Sequence, residues 1–319
     1  MTRVRALAAF SGGLDGMLAC RVLMDQGIHV EAVTFSSPFF DPEAGRTAAD
    51  HLGIPWREVD FTADIVALLF DPPSGFGKNM NPCIDCHAAM FSRLKEIAAE
   101  ENFDFIFSGE VVGQRPMSQN RGSINRVKNI SLTGNVLLRP LSAKILDPTP
   151  MEESGLVNRD LLLDLNGRGR ARQLKMAGDY GFSHIPTPGG GCLLTDPGYA
   201  NRLKSLKDIN LLSGENARMI RLGRMFVLDK AVGLVGRSSE ENDRMLEADT
   251  GIQLDIQNIP GPLGILLGEK TVENLTLLTA IMASYTKADS AVTSISNQNE
   301  SFTAERIGNE ERNNYIVTL

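Results

Sequence analysis

The sequence of 319 residues is poor in aromatic side chains, which make up 6% of it, and it contains only four cysteines. Four cysteines are too few to form a disulfide framework in a chain of this length, which excludes the cysteine-rich secreted classes. No apolar run approaches the ~18 residues of a membrane span, and the first residues contain no apolar signal core. We therefore expect a cytoplasmic protein in a reducing compartment, without membrane attachment.

An excess of positive charge is also missing, since 32 Lys and Arg face 39 Asp and Glu and the net charge is -7. Binding to nucleic acid through bulk charge is therefore excluded, and an RNA contact would need a local basic surface. Residues 114–144 contain six cations and no acid. An RNA-binding surface and a solvated face without a partner both fit this segment. Its candidate RNA-binding residues are Arg115, Arg121, Arg126 and Lys128.

The apolar pattern predicts an α/β fold. A strand-like run, 4–10, is followed by a glycine loop and a helix, and a second strand-like run covers 30–35. Strand, helix and parallel strand in this order form the βαβ unit. Helical patterns at 42–52 and 88–100 and strand patterns at 56–61 and 103–107 continue the alternation. We predict a doubly wound, mostly parallel sheet with a small C-terminal α+β domain.

Composition divides the chain into three parts. The α/β domain is expected at 1–210, and it includes a helix at about 160–180 and a basic helix at 199–207. A small α+β domain is expected at 211–288. Residues 289–319 are rich in Ser, Asn, Thr and Glu, so we expect a disordered acidic tail.

The glycine loop Ser11-Gly12-Gly13-Leu14-Asp15-Gly16 carries the first functional signal. Between a strand and a helix, such a loop offers backbone amides and a helix N-terminus to phosphate oxygens. A simple turn between strand and helix is the alternative. The residues Gly109 and Glu110 follow a predicted strand, where open α/β sheets bind ligands. The candidate nucleotide-binding residues are Ser11, Gly12, Gly13, Leu14, Asp15, Gly16, Phe35, Gly109 and Glu110.

The cysteines carry the second signal. Cys83 and Cys86 lie one helical turn apart, and Cys192 follows three glycines. Three thiolates can hold a 4Fe-4S cluster and leave one iron open. Zinc with His87 as fourth ligand, a persulfide and disulfide pair of Cys86 and Cys192, and three thiols packed as small apolar groups are the alternatives. The Cys-x-x-Cys-His string also matches a haem attachment signal, which an expected cytoplasmic location disfavours.

Several motifs together resemble one family. The glycine loop is similar to the pyrophosphate loop of the PP-loop ATP pyrophosphatases, Ser-Gly-Gly-x-Asp-Ser, with Gly16 in place of the final serine. The further motifs are Asn81-Pro82-Cys83-x-x-Cys86, the string 109–119, Arg139-Pro140-Leu141 and Gly189-Gly190-Gly191-Cys192-Leu193-Leu194-Thr195. With the loop they resemble the ThiI-like tRNA sulfurtransferases of the 4-thiouridine synthase type, in a version without the N-terminal THUMP domain. Residues 211–285 resemble a small NFACT-R-type domain, which would help to hold RNA.

This resemblance implies ATP-dependent tRNA thiolation. ATP and Mg²⁺ would serve to adenylate a uridine carbonyl oxygen, which sulfur then replaces, with Asp15, Cys86 and Cys192 as catalytic residues and Cys83, Cys86 and Cys192 as ligands of the cluster or of Zn²⁺. The expected partners are tRNA and a sulfur donor, either sulfide or a persulfide protein, and a homodimer is left open. Two other functions remain: a PP-loop ligase that joins ammonia to an adenylated carboxylate, and a non-catalytic RNA-binding protein.

Overall fold

The computed structural model describes residues 3–115, 117–183, 185, 191–257 and 259–317. It divides the chain into two compact units, Met1–Cys192 and Leu193–Leu319. The predicted domain border at residue 210 therefore lies 18 residues beyond the observed division. Among the described residues, no helix is both long enough and apolar enough to cross a membrane.

The first unit is built on a parallel sheet of five strands, in the order β3-β2-β1-β4-β5. Its strands are β1 (Arg5–Ala9), β2 (His29–Ser36), β3 (Trp56–Asp60), β4 (Phe105–Ser108) and β5 (Leu137–Leu138). Ala8 of β1 pairs with Ala32 of β2 on one side and with Phe107 of β4 on the other. This order and direction confirm the predicted doubly wound sheet.

Helices connect the strands of this sheet. They are α1 (Leu14–Met24), α2 (Glu43–Leu52), α3 (Thr62–Phe70), α4 (Cys83–Glu100), α5 (Arg121–Ile130), α6 (Pro150–Glu153) and α7 (Ala171–Asp179), with short 3-10 turns at Ala143–Ile145 and Arg159–Leu161. Because β1 is central, its inner residues Ala6, Leu7 and Ala8 are buried, as are Leu18 and Leu23 of α1. The core thus fixes the position at which α1 leaves β1.

Two helical predictions in this unit need correction. The helix expected at 160–180 is confined to Ala171–Asp179, because Gly167 and Gly169 interrupt the preceding segment. The helix expected at 88–100 begins five residues earlier, at Cys83, directly after Pro82. Both residues of the Cys-x-x-Cys motif therefore belong to the first turn of α4.

The second unit contains an antiparallel sheet of six strands, in the order β11-β10-β8-β9-β7-β6. Its strands are β6 (Arg224–Leu228), β7 (Ala231–Val235), β8 (Ile252–Ile256), β9 (Gly264–Gly268), β10 (Val292–Ser296) and β11 (Ser301–Ala304). Its helices are α8 (Pro197–Asp208), α9 (Gly214–Met219), α10 (Ser239–Leu246), α11 (Val272–Ala283) and α12 (Asn309–Asn313), after a 3-10 turn at Leu193–Thr195. Leu275, Leu278 and Met282 of α11 form part of its core. The small α+β domain is thereby confirmed.

The prediction of a disordered tail from residue 289 is wrong for the described residues up to Val317. β10 pairs with β8, and β11 pairs with β10, so this segment completes the sheet. Val292, Ser294 and Ser296 are the buried residues of β10. Burial thus alternates along β10 as in other strands. Because serine occupies two of the three inward positions, the sequence shows no alternation of apolar and polar residues. The Thr279 and Ser294 hydroxyl oxygens lie 2.6 Å apart in the core, which satisfies both groups.

Candidate active site

The first unit has its topological switch point between β1 and β4. From these adjacent strands the sheet extends in opposite directions, so the loops after β1 and β4 leave a crevice at the carboxyl edge. The loop after β1 is the glycine loop, and the loop after β4 contains Gly109 to Arg115. Both sequence motifs therefore lie where an open α/β sheet binds ligands.

The two glycines of the loop have different structural tasks. Gly12 has a φ of +76°, and a Cβ at this position would collide with the carbonyl oxygen of Ala44. Gly13 has the nearest obstacle to a Cβ at 3.8 Å, the Ser11 hydroxyl oxygen. Gly13 is also the N-cap of α1, and no side chain caps this helix. The first amides of α1 are therefore left for a ligand or solvent.

Asp15 lies in the first turn of α1. Gln114 donates a hydrogen bond to its Oδ2 over 2.6 Å, while its buried Oδ1 has no partner among the described residues. Burial raises the pKa of Asp15, and Gln114, Arg170, Gln173 and Arg115 oppose this rise. The carboxylate thus lies in a partly desolvated position surrounded by donors.

The segment after β4 touches both predicted sites. A Cβ on Gly109 would collide with the backbone nitrogen of Gly16, so only glycine allows this close approach. The next residue, Glu110, is buried and faces α4: its Oε1 lies 3.0 Å from Nδ1 of His87. Two consecutive residues therefore connect the glycine loop to the helix that bears the cysteines.

Glu110 forms a buried ion pair with Arg139, whose Nε donates to Oε2 over 2.7 Å. Burial alone would raise the pKa of Glu110, but the Arg139 charge and the contacts with His87 outweigh it and lower the pKa to about 2. Both carboxylate oxygens are engaged by protein groups. We therefore interpret Glu110 as a residue that positions α4, rather than as a direct nucleotide contact.

The turn that carries Cys83 and Cys86 is held from the preceding loop. Buried Asp85 accepts hydrogen bonds from the backbone nitrogen and the hydroxyl of Ser74, over 2.7 and 2.6 Å. The side-chain amide of Asn81 donates to Sγ of Cys83 over 3.1 Å. This thiol is half-buried and has a fixed donor.

Cys86 is buried, and its desolvation raises the pKa of the thiol. Cys192 and Cys83 are close enough to Cys86 to add to this rise, so all three predicted cysteines lie in one region. Cys20 is buried in the core of the first unit, as expected. The glycines before Cys192, at 189 and 190, lie outside the described residues.

The three thiols have the chemistry of a soft metal site but not its geometry. Within the ranges that the structure describes, no group of three His, Cys, Asp or Glu is arranged to hold a metal ion. The cluster with its ligands, and zinc with His87, accordingly remain predictions. Nδ1 of His87 is engaged by Glu110.

The remaining nucleotide candidates differ in exposure. Ser11 is exposed, whereas Leu14 and Phe35 are buried. Phe35 packs edge-on against Phe61, with ring centroids 5.3 Å apart. Leu14 can therefore contribute backbone atoms only, and Phe35 is part of the packed carboxyl end of β2.

The four RNA candidates do not share one environment. Arg115 lies near Asp15. Arg121 donates to the carbonyl oxygen of Ile145, and Arg126 donates over 2.9 Å to the Ser74 hydroxyl. Lys128 lines a small cavity of about 80 Å³ beside α5. Arg126 thus supports the loop before Cys83, and Arg115 belongs to the crevice.

Sequence reasoning did not single out Arg170, Gln173, Asp85 or Gln114. Arg170 and Gln173 reach Asp15 because a parallel bridge joins Asn166 to Val112, which follows β4. Both residues are far from the glycine loop in the sequence, so no local motif indicated that they lie near Asp15. Gln173 could have been noticed as a polar residue on the inward face of α7, where it is 1% exposed.

Comparison with known proteins gives a family match for the second unit. Residues 223–316 match the model of the NFACT protein RNA binding domain. This range includes β10 and β11, in agreement with a folded C-terminal segment.

The chain is also similar to tRNA-specific 2-thiouridylases. The chain is 24% identical over 226 residues to the tRNA-specific 2-thiouridylase MnmA of Symbiobacterium thermophilum, covering 63% of this chain and 55% of the relative. It is 26% identical over 159 residues to MnmA 1 of Syntrophus aciditrophicus, covering 45% and 42%. The chain thus spans about half the length of these relatives.

Among solved structures, a 4-thiouridine synthetase in complex with RNA and bound ATP is 20% identical. It matches over 54% of this chain and 50% of that one, with a TM-score of 0.37. So distant a likeness carries no argument about function.

Proposed function

We propose that this protein catalyses ATP-dependent thiolation of a uridine in tRNA. The observation that carries the proposal is the pair Gly109 and Glu110: Gly109 packs against the glycine loop and Glu110 contacts the helix of Cys83 and Cys86. These contacts support a crevice that would hold phosphate at the glycine loop and sulfur at the cysteines. The thiouridylase names of the relatives and the match of the second unit to an RNA-binding domain support the same reaction.

The reaction needs both sites because a uridine carbonyl is a weak electrophile. Its oxygen would attack the α-phosphorus of ATP, which forms an adenylate and releases pyrophosphate. Sulfide would then add to the carbonyl carbon of the uridine, and AMP would leave with the former carbonyl oxygen. One ATP and one sulfide thus give thiouridine, AMP and pyrophosphate.

Each part of the site has a task in this scheme. The amides of the glycine loop and of α1 would hold phosphate oxygens, and Asp15 would hold Mg²⁺, which neutralises phosphate charge. Cys86 and Cys192, with Cys83 beside them, would surround the sulfide that attacks the adenylated carbon, and the sulfur would keep its oxidation state throughout. An iron–sulfur cluster on the three cysteines remains our proposal for the sulfide carrier, and no step here depends on it.

The carboxylate ligase and the non-catalytic RNA-binding protein are the competing functions. The ligase would have no use for three cysteines near one crevice. The non-catalytic protein would release no pyrophosphate. We retain thiolation because it uses every feature of the crevice.

The test is a reaction of the purified chain with tRNA, ATP and sulfide under anaerobic conditions. Mass analysis of digested nucleosides should detect thiouridine, and chromatography against standards should distinguish the 2-thio from the 4-thio product. Cys86→Ser and Cys192→Ser should abolish the product, whereas Cys20→Ser should retain it. Pyrophosphate release without any thiouridine would contradict the proposal, and iron, sulfide and zinc analysis of the same preparation would identify the sulfur carrier.

A further inference from the structure

Four buried polar atoms without partners lie around the N-terminus of α1. They are Oδ1 of Asp15, Oε1 of Gln114, Oε1 of Gln173 and Nε of Arg170, none of which has a hydrogen-bond partner among the described residues. A buried polar atom without a ligand is unfavourable, because its lost hydration is not replaced by a hydrogen bond. A concentration of them at one place indicates that a ligand completes the site.

The three oxygens belong to neighbouring side chains. Gln114 donates to Asp15 over 2.6 Å, and Gln173 lies close enough to Asp15 to lower the pKa of its carboxyl group. The oxygen and nitrogen of a carboxamide share one carbon, so both Oε1 atoms lie within a few ångströms of the carboxylate. Asp15, Gln114 and Gln173 come from three segments of the chain, namely α1, the loop after β4 and α7.

This donor set matches a hard divalent cation. Mg²⁺ takes oxygen ligands, commonly one or two from carboxylates with the rest from carbonyls, water and substrate phosphates. The cationic side of the site matches a polyphosphate, because Arg170 and Arg115 both lie near Asp15. A cation alone would be repelled by these guanidinium groups. A cation bound to polyphosphate would contact the oxygens, and the phosphates would contact the guanidinium groups.

We propose that Asp15, Gln114 and Gln173 hold the divalent cation of a bound magnesium polyphosphate and that Arg170 binds one of its phosphate oxygens. This inference rests on the proposed function, since ATP brings the polyphosphate. It adds Gln173 and Arg170, both from the α7 region, to the nucleotide site. It also explains why a fully buried glutamine stands on a helix that is otherwise largely exposed.

The test of the cation half uses Mn²⁺ as a probe, with ADP, on the full chain. Free Mn²⁺ measured by electron paramagnetic resonance gives the affinity without any turnover. Gln173→Leu should weaken Mn²⁺ binding by roughly tenfold or more, because it removes one oxygen that holds the cation. Gln173→Glu retains the oxygen and adds charge, so it should bind Mn²⁺ at least as tightly as the parent protein. Lys175→Leu, an exposed position on the same helix, is the matched control.

The test of the phosphate half is ADP binding by calorimetry. Arg170→Ala should weaken ADP binding by roughly tenfold, since it removes a charge-assisted hydrogen bond to phosphate. Arg172→Ala removes a guanidinium that pairs with Asp164 at the surface, and it should leave ADP binding unchanged. Thermal melts confirm that each variant is folded.

Equal Mn²⁺ affinity in Gln173→Leu and the parent would overturn the inference, as would loss of Mn²⁺ binding in Gln173→Glu despite a normal melt. Equal ADP affinity in Arg170→Ala and Arg172→Ala would overturn the phosphate half. Failure of the proposed function has a different signature: Mn²⁺ and ADP binding would follow the expected pattern while no thiouridine is formed.

Discussion

At the scale of single residues, the two consecutive glycines of the loop are glycine for different reasons, which the sequence alone does not distinguish. Gly12 is required by the fold, since its φ is positive and α2 leaves no space for a Cβ. Gly13 has free space around it, and under the proposed function its requirement would come from the ligand. A phosphate that approaches the backbone needs that space.

We therefore predict opposite results for the two alanine variants. Gly12→Ala should destabilise the protein by at least ~2 kcal/mol, because both the φ and the contact with Ala44 oppose a side chain. Gly13→Ala should unfold at nearly the parental urea concentration but bind ATP more weakly. Urea denaturation and ATP titration measure the two effects. Equal stability of both variants would contradict the conclusion that the fold requires glycine at position 12 but not at position 13.

Asp15 offers a second prediction, in which stability and function change in opposite directions. Its folded pKa is raised, so ionisation opposes folding and stability is lost as pH rises from the unfolded value of 3.8 through the folded pKa. Asp15→Asn removes this cost, and at neutral pH it should melt at or above the parental temperature. Thiolation and ATP-dependent pyrophosphate release should both be abolished. A folded variant with full activity would refute the role of Asp15.

The contribution of Glu110 to folding stability has the opposite dependence on pH. Its folded pKa is about 2 and its ordinary value is 4.5, so its stabilising contribution is complete above 4.5 and is lost as pH falls toward 2. Glu110→Gln should cost about 3–5 kcal/mol at pH 7, because Arg139 is left buried without its counter-ion. The stability difference between parent and variant should shrink between pH 4.5 and 2 in urea titrations. A difference independent of pH would show that the ion pair is not its source.

At the scale of elements, the sequence predicted the framework of the first unit well because strong local signals determine it. Buried parallel strands such as β1 and β2 are continuous apolar runs, and glycine loops mark where they end. In the candidate site, Asp15, Cys83 and Cys86 could be named from the sequence because they lie in recognisable motifs. Gln173 and Arg170 reach the crevice through a tertiary bridge, which no local pattern encodes.

The C-terminal strands show the opposite case, in which composition misleads. β10 and β11 are polar, but their inward residues pack against α11 and pair with the sheet. Truncation after residue 288 should therefore destabilise the second unit severely, by exposing the β8 edge and part of the core. Circular dichroism melts and limited proteolysis would measure this effect. Removal of residues 318 and 319 alone serves as the control and should have no effect on either measurement.

At the scale of the whole molecule, the two units divide the proposed work. The first contains the crevice with the glycine loop, and residues 223–316 of the second match an RNA-binding domain. With a net charge of -7, the proposed binding of RNA would require local cations. Of the four RNA candidates in the first unit, Arg115 lies near Asp15 and Arg126 donates a hydrogen bond to Ser74. Both arginines therefore have contacts within the first unit.

We therefore expect exposed cations of the second unit to contribute to tRNA binding. Arg218 and Arg221 are exposed at the end of α9, next to the start of the matched domain. Replacing both by Ala should weaken tRNA binding and reduce the slope of log affinity against log salt by up to roughly 0.7 to 0.9 for each phosphate that the variant no longer neutralises. Arg244→Ala, on the acidic helix α10, is the matched control and should leave the slope unchanged. ADP affinity is measured on the same double variant, so that an effect on RNA binding is separated from an effect on the nucleotide site. An unaltered salt slope in that variant would assign RNA binding to other cations, with Arg121 and Lys128 of α5 as the next pair to replace.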